Sequence, residues 1–237
     1  MPSIPRLHVV HPLGKGQTVP LTPSQAHYLA GVLRRGEGDP VEIFNGHDGT
    51  WSARIDTLGR KAGTLVAESQ IAPQRNAPDL WLLFAPIKKA RTDFIVEKAA
   101  ELGVARIRPV RTAFTNSERL RRDRLQAHAV EAAEQCGGNF VPEVDEIVPL
   151  DALLDTWPTE RHLLFCDEAR SGAVTGLEGL SAPGAVLIGP EGGFADAERR
   201  RLEKIARTVS LGPRILRADT AAVAALTLWQ QAMGDWR

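Results

Sequence analysis

The chain has 237 residues, 43% of them hydrophobic and 24% charged, and its formal net charge is zero. That length suits one large domain or two small ones, and no run reaches the roughly 20 apolar residues that a membrane-crossing helix needs. The opening MPSIPRLHVVHPLGKG lacks the apolar core of a secretory signal, and Cys136 and Cys166 have neither CxxC spacing nor a nearby His pair, so a cytoplasmic protein without a disulfide framework or metal site is expected.

Residues 1–72 read as a small β-barrel. RLHVV, TVPL, PVEIFN, WSARIDTLG and GTLVAESQI are short extended or alternating runs, with hairpin dipeptides at Asn45-Gly46 and Asp48-Gly49. One helix interrupts them in LTPSQAHYLAGVLR: Thr22 caps it, Pro23 takes the first position, Gln25 completes a capping box, and Ala26, Leu29, Ala30 and Leu33 form its apolar stripe. His27 and Tyr28 are read as packing residues. Residues 73–78, within APQRNAP, are the expected linker.

Over residues 79–237 the period changes to that of an α/β domain with a parallel sheet. LWLLFAP is a buried strand, TDFIVEKAAELG a helix closed by Gly103, and VARIRPV a strand. SERLRRDRLQAHAVEAAEQCG reads as a long helix from Ser117 as cap to Gly137 as terminator. LLFCDE and AVLIG are buried strands, ADAERRRLEKIA a helix, TVSLG a short strand and DTAAVAALTLWQQAM the last helix. Trp229 and Trp236 are expected in the core or at a dimer interface.

Charge is uneven along this domain. Lys88–Arg124 holds eleven Lys and Arg against five Asp and Glu, and Leu125–Glu168 one against ten. A basic run serves a polyanion or is simply a solvated helix face. As phosphate contacts, which give RNA affinity its salt dependence, the sequence offers Lys88, Lys89 and Arg91 just past a strand's carboxyl end. Arg119 stands at a helix entrance with Arg121, Arg122 and Arg124, and Arg6, Arg34 and Arg35 lie in the barrel.

Two glycine-bearing turns follow predicted strands: IGPEGG after AVLIG, and LGPRILRADTAA after TVSL. Each alone is an ordinary tight turn; together, at the carboxyl edge of a parallel sheet, they predict a shared ligand pocket. The first lacks the Lys-Ser/Thr ending of a P-loop and the glycine spacing of a dinucleotide site. Glu191, inside the first turn, would oppose a phosphate across a small gap. A nucleoside-like ligand without phosphate avoids that cost, and S-adenosylmethionine, with its cationic sulfonium, is such a ligand.

GPEGGF with LGPRILRADTAA, together with HYLAGVLRRGEGD, KKARTDFIVEKAAELGVARIRPV and EAAEQCGGNFVPEV, resembles in order the motifs of a family of SPOUT-class RNA methyltransferases. These are the RsmE-type enzymes, which methylate N3 of a uridine in 16S ribosomal RNA. The resemblance implies a PUA-like N-terminal barrel for RNA, a C-terminal SPOUT-type α/β trefoil-knot domain, S-adenosylmethionine held by the knotted loops, and a homodimer through the knot. It further implies 16S rRNA, within the 30S subunit, as the partner. Carried onto this chain, the cofactor contacts are Leu164 and Cys166, Gly189, Glu191, Gly192 and Gly193, and Leu211, Gly212, Ile215, Leu216 and Arg217.

For the chemistry, Arg217 is the candidate for stabilising charge on the uridine anion, or else braces the last helix through Asp219. Glu191 orients the ligand or accepts a proton, or else favours the dipole of the following helix. Asp219 stands where the family often has Glu, and Gly138 and Phe140 where it often has arginines. A SPOUT enzyme acting on another RNA or base, or a non-catalytic PUA-bearing RNA-binding protein, would share most of these features.

Overall fold

The computed structural model describes residues 4–116, 120–167 and 182–236. The chain forms two compact units, Met1–Asn76 with Ala133–Val141, and Ala77–Ala132 with Pro142–Arg237. No helix among the described residues is long and apolar enough to cross a membrane.

The first unit contains β1 (Arg6–His8), β2 (Thr18–Pro20), α1 (Pro23–His27), β3 (Pro40–Phe44), β4 (Thr50–Leu58) and β5 (Gly63–Ala72). Its sheet has the order β1-β3-β4-β5-β2, with β3, β4 and β5 an antiparallel meander and β1 parallel to β3. Side chains on a strand alternate between faces, so every second residue enters one core. Leu7, Val19, Val41, Ile43, Ala53, Ile55, Leu65 and Ala67 fill it, closed by Ala26 and Leu29 of the helical segment.

The helix starts as its sequence dictates. The Gln25 amide donates to Thr22 Oγ1 at 3.3 Å, and the Thr22 amide to Gln25 Oε1 at 3.0 Å. It does not continue as one α-helix: Tyr28–Val32 widens into a π turn, with the Leu33 amide bonded to Tyr28 O at 2.9 Å. Each residue of a wider turn advances through a smaller angle, so the apolar stripe drifts. Ala26 and Leu29 are buried, Ala30 and Leu33 are half-buried, and Val32 is exposed. Tyr28 packs on the core as expected, but His27 is exposed.

Ala133–Val141 groups with this unit through Asn139, which the sequence alone assigns to the second domain. The Asn139 amide donates to Pro73 O at 2.9 Å, and its carbonyl oxygen accepts from the Arg75 amide at 3.1 Å.

The second unit runs β6 (Leu80–Phe84), α2 (Lys89–Glu101), β7 (Arg106–Arg111), α3 (Arg122–Cys136), β8 (Glu143–Val144), β9 (Val148–Pro149), α4 (Leu150–Asp155), β10 (His162–Cys166), β11 (Gly184–Ile188), α5 (Asp196–Ile205), β12 (Arg207–Val209) and α6 (Ala218–Met233). The last turn of α3 counts with the first unit. The strand order is β12-β10-β11-β6-β7-β8, with β9 beside β7 and all pairings parallel. This is the expected α/β class with a parallel sheet and a separate small β unit. β6 and β11 are buried nearly throughout, as continuous apolar runs must be when helices cover both faces. The long helix begins at Arg122, and its expected cap, Ser117, lies outside the described residues. Trp229 is buried in α6, while Trp236 is half exposed.

Candidate functional site

In a parallel sheet the loops after each strand leave from one edge, and here three of them converge. β11 runs into Gly189-Pro190-Glu191-Gly192-Gly193, a turn closed by the Gly193 amide on Pro190 O at 2.9 Å. A side chain at Gly189 is excluded, because a Cβ there would lie 2.5 Å from the Phe194 ring. That ring is buried edge-on against Phe165, with centroids 5.0 Å apart. β12 runs into Leu211 and Gly212, whose φ of +118° is open to glycine alone, and the loop ends where Arg217 occupies the N-cap of α6. β10 ends in Cys166 and Asp167.

These loops enclose a cavity of about 210 Å³. Its lining includes Cys166, Gly189, Glu191, Leu211, Gly212, Ile215, Leu216 and Arg217 from the residues singled out in the sequence. Leu164, Gly192 and Gly193 do not line it: Leu164 is buried within β10, Gly193 is buried in the turn, and Gly192 is exposed. The sequence reading missed Asp167, Ile188, Val209, Ala218 and Ala221, which complete the wall with Pro190 and Arg214. The apolar ones could have been found, since they are the last residues of the very strands and the first turn of the very helix that flank the named loops.

The polar groups of the cavity differ in how they are held. Asp167 is buried and ion-paired with Arg199 of α5, whose Nε also donates to Phe194 O at 3.1 Å. Burial pushes the Cys166 thiol up to about 12, so it is neutral in the native protein. Glu191, Arg214 and Arg217 are exposed and make no ion pair with any described residue. Asp219, the alternative partner for Arg217, is instead 3.3 Å from Arg91 of α2.

A fourth loop, after β7, joins the same edge. Thr112–Thr115 is a turn in which the Thr115 amide reaches Thr112 O at 3.2 Å and the Thr112 amide reaches Thr115 Oγ1 at 2.8 Å. Glu198 of α5, buried, accepts from the Ala113 amide at 2.8 Å with one oxygen and from the Ala195 amide at 2.9 Å with the other. One carboxylate thus ties the β7 turn to the segment that follows the glycine loop. Phe114, on that turn, faces Gly192: a Cβ on the glycine would stand 3.1 Å from Phe114 Cβ.

The basic residues divide in the same way. Lys88 and Lys89 are exposed at the start of α2, while Arg91 is committed to Asp219. Arg119 lies outside the described residues. Its neighbours are internally engaged: Arg121 with Asp123 at 2.6 Å, Arg122 with Val144 O at 2.7 Å, and Arg124 with Asp93. In the first unit Arg34 is exposed and Arg35 half-buried. Arg6 is held by Glu42 at 3.3 Å and by Gly138 O at 3.0 Å, with its guanidinium over the Phe44 ring.

Residues 74–230 match the family model of the RNA methyltransferase domain, and residues 21–68 that of the RNA methyltransferase PUA domain. The chain is 29% identical to the ribosomal RNA small subunit methyltransferase E of Buchnera aphidicola over 98% of both chains. It is 32% identical to the protein of that name from Synechocystis over 88% of this chain and 71% of the other. Among solved structures, the small subunit methyltransferase E of Neisseria gonorrhoeae, bound to S-adenosylmethionine, superposes with a TM-score of 0.88 at 28% identity, covering 99% of this chain and 100% of that one.

Proposed function

The chain belongs to the RNA methyltransferase family, and from that premise we propose that it uses S-adenosylmethionine to methylate N3 of one uridine in 16S ribosomal RNA. The observation that carries this reading is that both Gly-Pro loops and the end of β10 meet in one cavity at the sheet's carboxyl edge.

The cavity fits that cofactor. Ile188, Val209, Leu211, Leu216, Ala218 and Ala221 give it an apolar body suited to a purine face. Its one unpaired carboxylate among the described residues, Glu191, can face a cation, while the guanidiniums of Arg214 and Arg217 also line the cavity, so the fit rests on the apolar wall and the placement of Glu191 and not on net charge. Asp167 is already neutralised by Arg199 and so adds no net charge. When bound, S-adenosylmethionine supplies a methyl group on a cationic sulfur. The residues that would hold it are Cys166, Asp167, Gly189, Glu191, Leu211, Gly212, Ile215, Leu216 and Arg217.

Uridine N3 carries a proton at neutral pH, so the chain's part is to remove it and to hold the resulting imide charge beside the methyl donor. Arg217, free of Asp219, is assigned to that charge, which a guanidinium held beside it would stabilise. Glu191 is assigned to orient the ligand or to accept the proton. Lys88, Lys89 and Arg34 are assigned to phosphates. Residues 1–72 would hold RNA and residues 79–237 carry out transfer, after the 73–78 linker. Two copies would pair through the C-terminal domain, working in the cytoplasm on the 30S subunit.

Tritium transfer from labelled S-adenosylmethionine to 30S subunits and to naked 16S rRNA, with mass mapping of the product, tests the proposal. Label at one uridine N3 supports it. Label on another base or on another RNA replaces the substrate, and no label despite measured cofactor binding removes the enzymatic reading.

A further inference from the structure

We propose that Phe114 is the platform on which the target base stacks during methyl transfer, an inference that rests on the function just proposed. Phe114 is 46% exposed. Isolated exposed apolar residues are common on protein surfaces and mean little by themselves. This one differs in how it is held and in where it stands.

Its backbone is fixed. The Thr112–Thr115 turn closes on itself through the two threonines, and Glu198 anchors the Ala113 amide at 2.8 Å. An exposed aromatic on a pinned turn loses little freedom when it meets a ligand, which favours binding. Its ring is also without a stacked partner among the described residues. Phe94, exposed to a similar degree, has the Lys98 ammonium 5.5 Å from its centroid, whereas no ring or cation among the described residues stacks on Phe114. Finally, Phe114 abuts Gly192, whose turn also supplies Gly189 and Glu191 to the cavity.

The chemistry asks for such a group. In a paired uridine N3 is occupied by the complementary base, so the target base must be unpaired and splayed out to react. Extruded bases are gripped by stacking on aromatic side chains. The N3 lone pair lies in the plane of the ring. A platform under the face therefore holds the base without covering the atom that attacks, while a hydrogen-bonding clamp on the Watson–Crick edge would compete with the methyl group. Stacking is tolerant of base identity, so Phe114 supplies position, and the choice of uridine belongs to groups at the ring edge.

Three variants and two kinds of measurement test this. Phe114→Ala should raise KM for 30S subunits by about tenfold, in line with the loss of one base–aromatic stack. Its affinity for S-adenosylmethionine by calorimetry should be unchanged, and Phe114→Tyr should restore KM. Phe114→Trp, without cofactor, should show added indole emission that is quenched by a short oligouridylate, a readout that needs no turnover. An unchanged KM in Phe114→Ala, or no quenching in Phe114→Trp, overturns the proposal. So does lost cofactor affinity, which would make Phe114 a brace for the glycine loop, or a shift from dimer to monomer in sedimentation, which would put a second copy over the ring. If the native chain labels no RNA while Phe114→Trp is still quenched, the proposed function fails and the platform stands.

Discussion

Arg91 Nη1 lies 3.3 Å from Asp219 Oδ2, joining the first turn of α2 to the first turn of α6. The contact reassigns two residues: a cation read as an RNA contact holds the helix that carries Ala218 and Ala221 into the cavity, and Arg217 is left without its carboxylate. Both side chains are partly exposed, so the pair contributes at most about 1 kcal/mol to stability. Its effect should show in the site. Arg91→Ala and Asp219→Asn should each weaken S-adenosylmethionine binding several-fold, and the double variant should be no worse than either single one. Asp219→Glu, which keeps the charge, should bind as the native chain does. Additive losses in calorimetry would mean that the two residues act separately.

Two of the three glycines of the GPEGG turn, Gly189 and Gly192, should respond in opposite ways. Gly189→Ala drives a methyl group to 2.5 Å from the buried Phe194 ring, which Phe165 prevents from moving. Overpacking of this kind costs about 1–3 kcal/mol, so a lower melting temperature and weaker cofactor binding are expected together. Gly192→Val points its added atoms at Phe114 and not into the cavity. It should leave cofactor affinity near the native value and impair turnover on RNA. Equal loss of cofactor affinity in both variants would show that Gly192 reaches the ligand.

Sequence made the frame of this site legible and its wiring illegible, for physical reasons. β6, β10 and β11 announce themselves as unbroken apolar runs because both of their faces are covered, and the Gly-Pro loops follow them at once. The Thr22 capping box is local and was readable to the atom. By contrast β8, β9 and α4 are too short to show any period, and the Tyr28–Val32 π turn is a change of hydrogen-bond register that leaves no mark in composition. The pairs that set the electrostatics, Asp167 with Arg199 and Arg91 with Asp219, join residues far apart in the chain. Asn139 groups the end of α3 with the barrel unit by the same kind of distant bond.

Cys166 offers a probe of the cavity that is independent of turnover. Thiolate, not thiol, reacts with alkylating agents, and burial holds this thiol protonated up to about pH 12. Iodoacetamide at pH 7 to 9 should therefore modify exposed Cys136 first and leave Cys166 intact, with mass spectrometry reading each site. Raising the pH within that range should not speed modification of Cys166; denaturant should. Rapid native-state labelling of Cys166 that cofactor suppresses would mean that the cavity wall opens readily.

Glu198 is the residue on which both the glycine loop and the Phe114 turn depend. Its two oxygens each accept one backbone N–H, from Ala113 and from Ala195. Glu198→Gln keeps the shape but replaces one acceptor by a donor, so one of those amides must lose its bond and face an N–H instead. An unsatisfied buried amide costs about 1–3 kcal/mol. If the amide of Ala113 is released, the Phe114 turn loosens: KM for RNA should rise and cofactor affinity should hold. If the amide of Ala195 is released, α5 loses its cap, and the melting temperature should fall further than in the first case. Hydrogen exchange at Ala113 and Ala195 distinguishes the two, and native protection at both sites in Glu198→Gln would show that neither loop relies on this carboxylate.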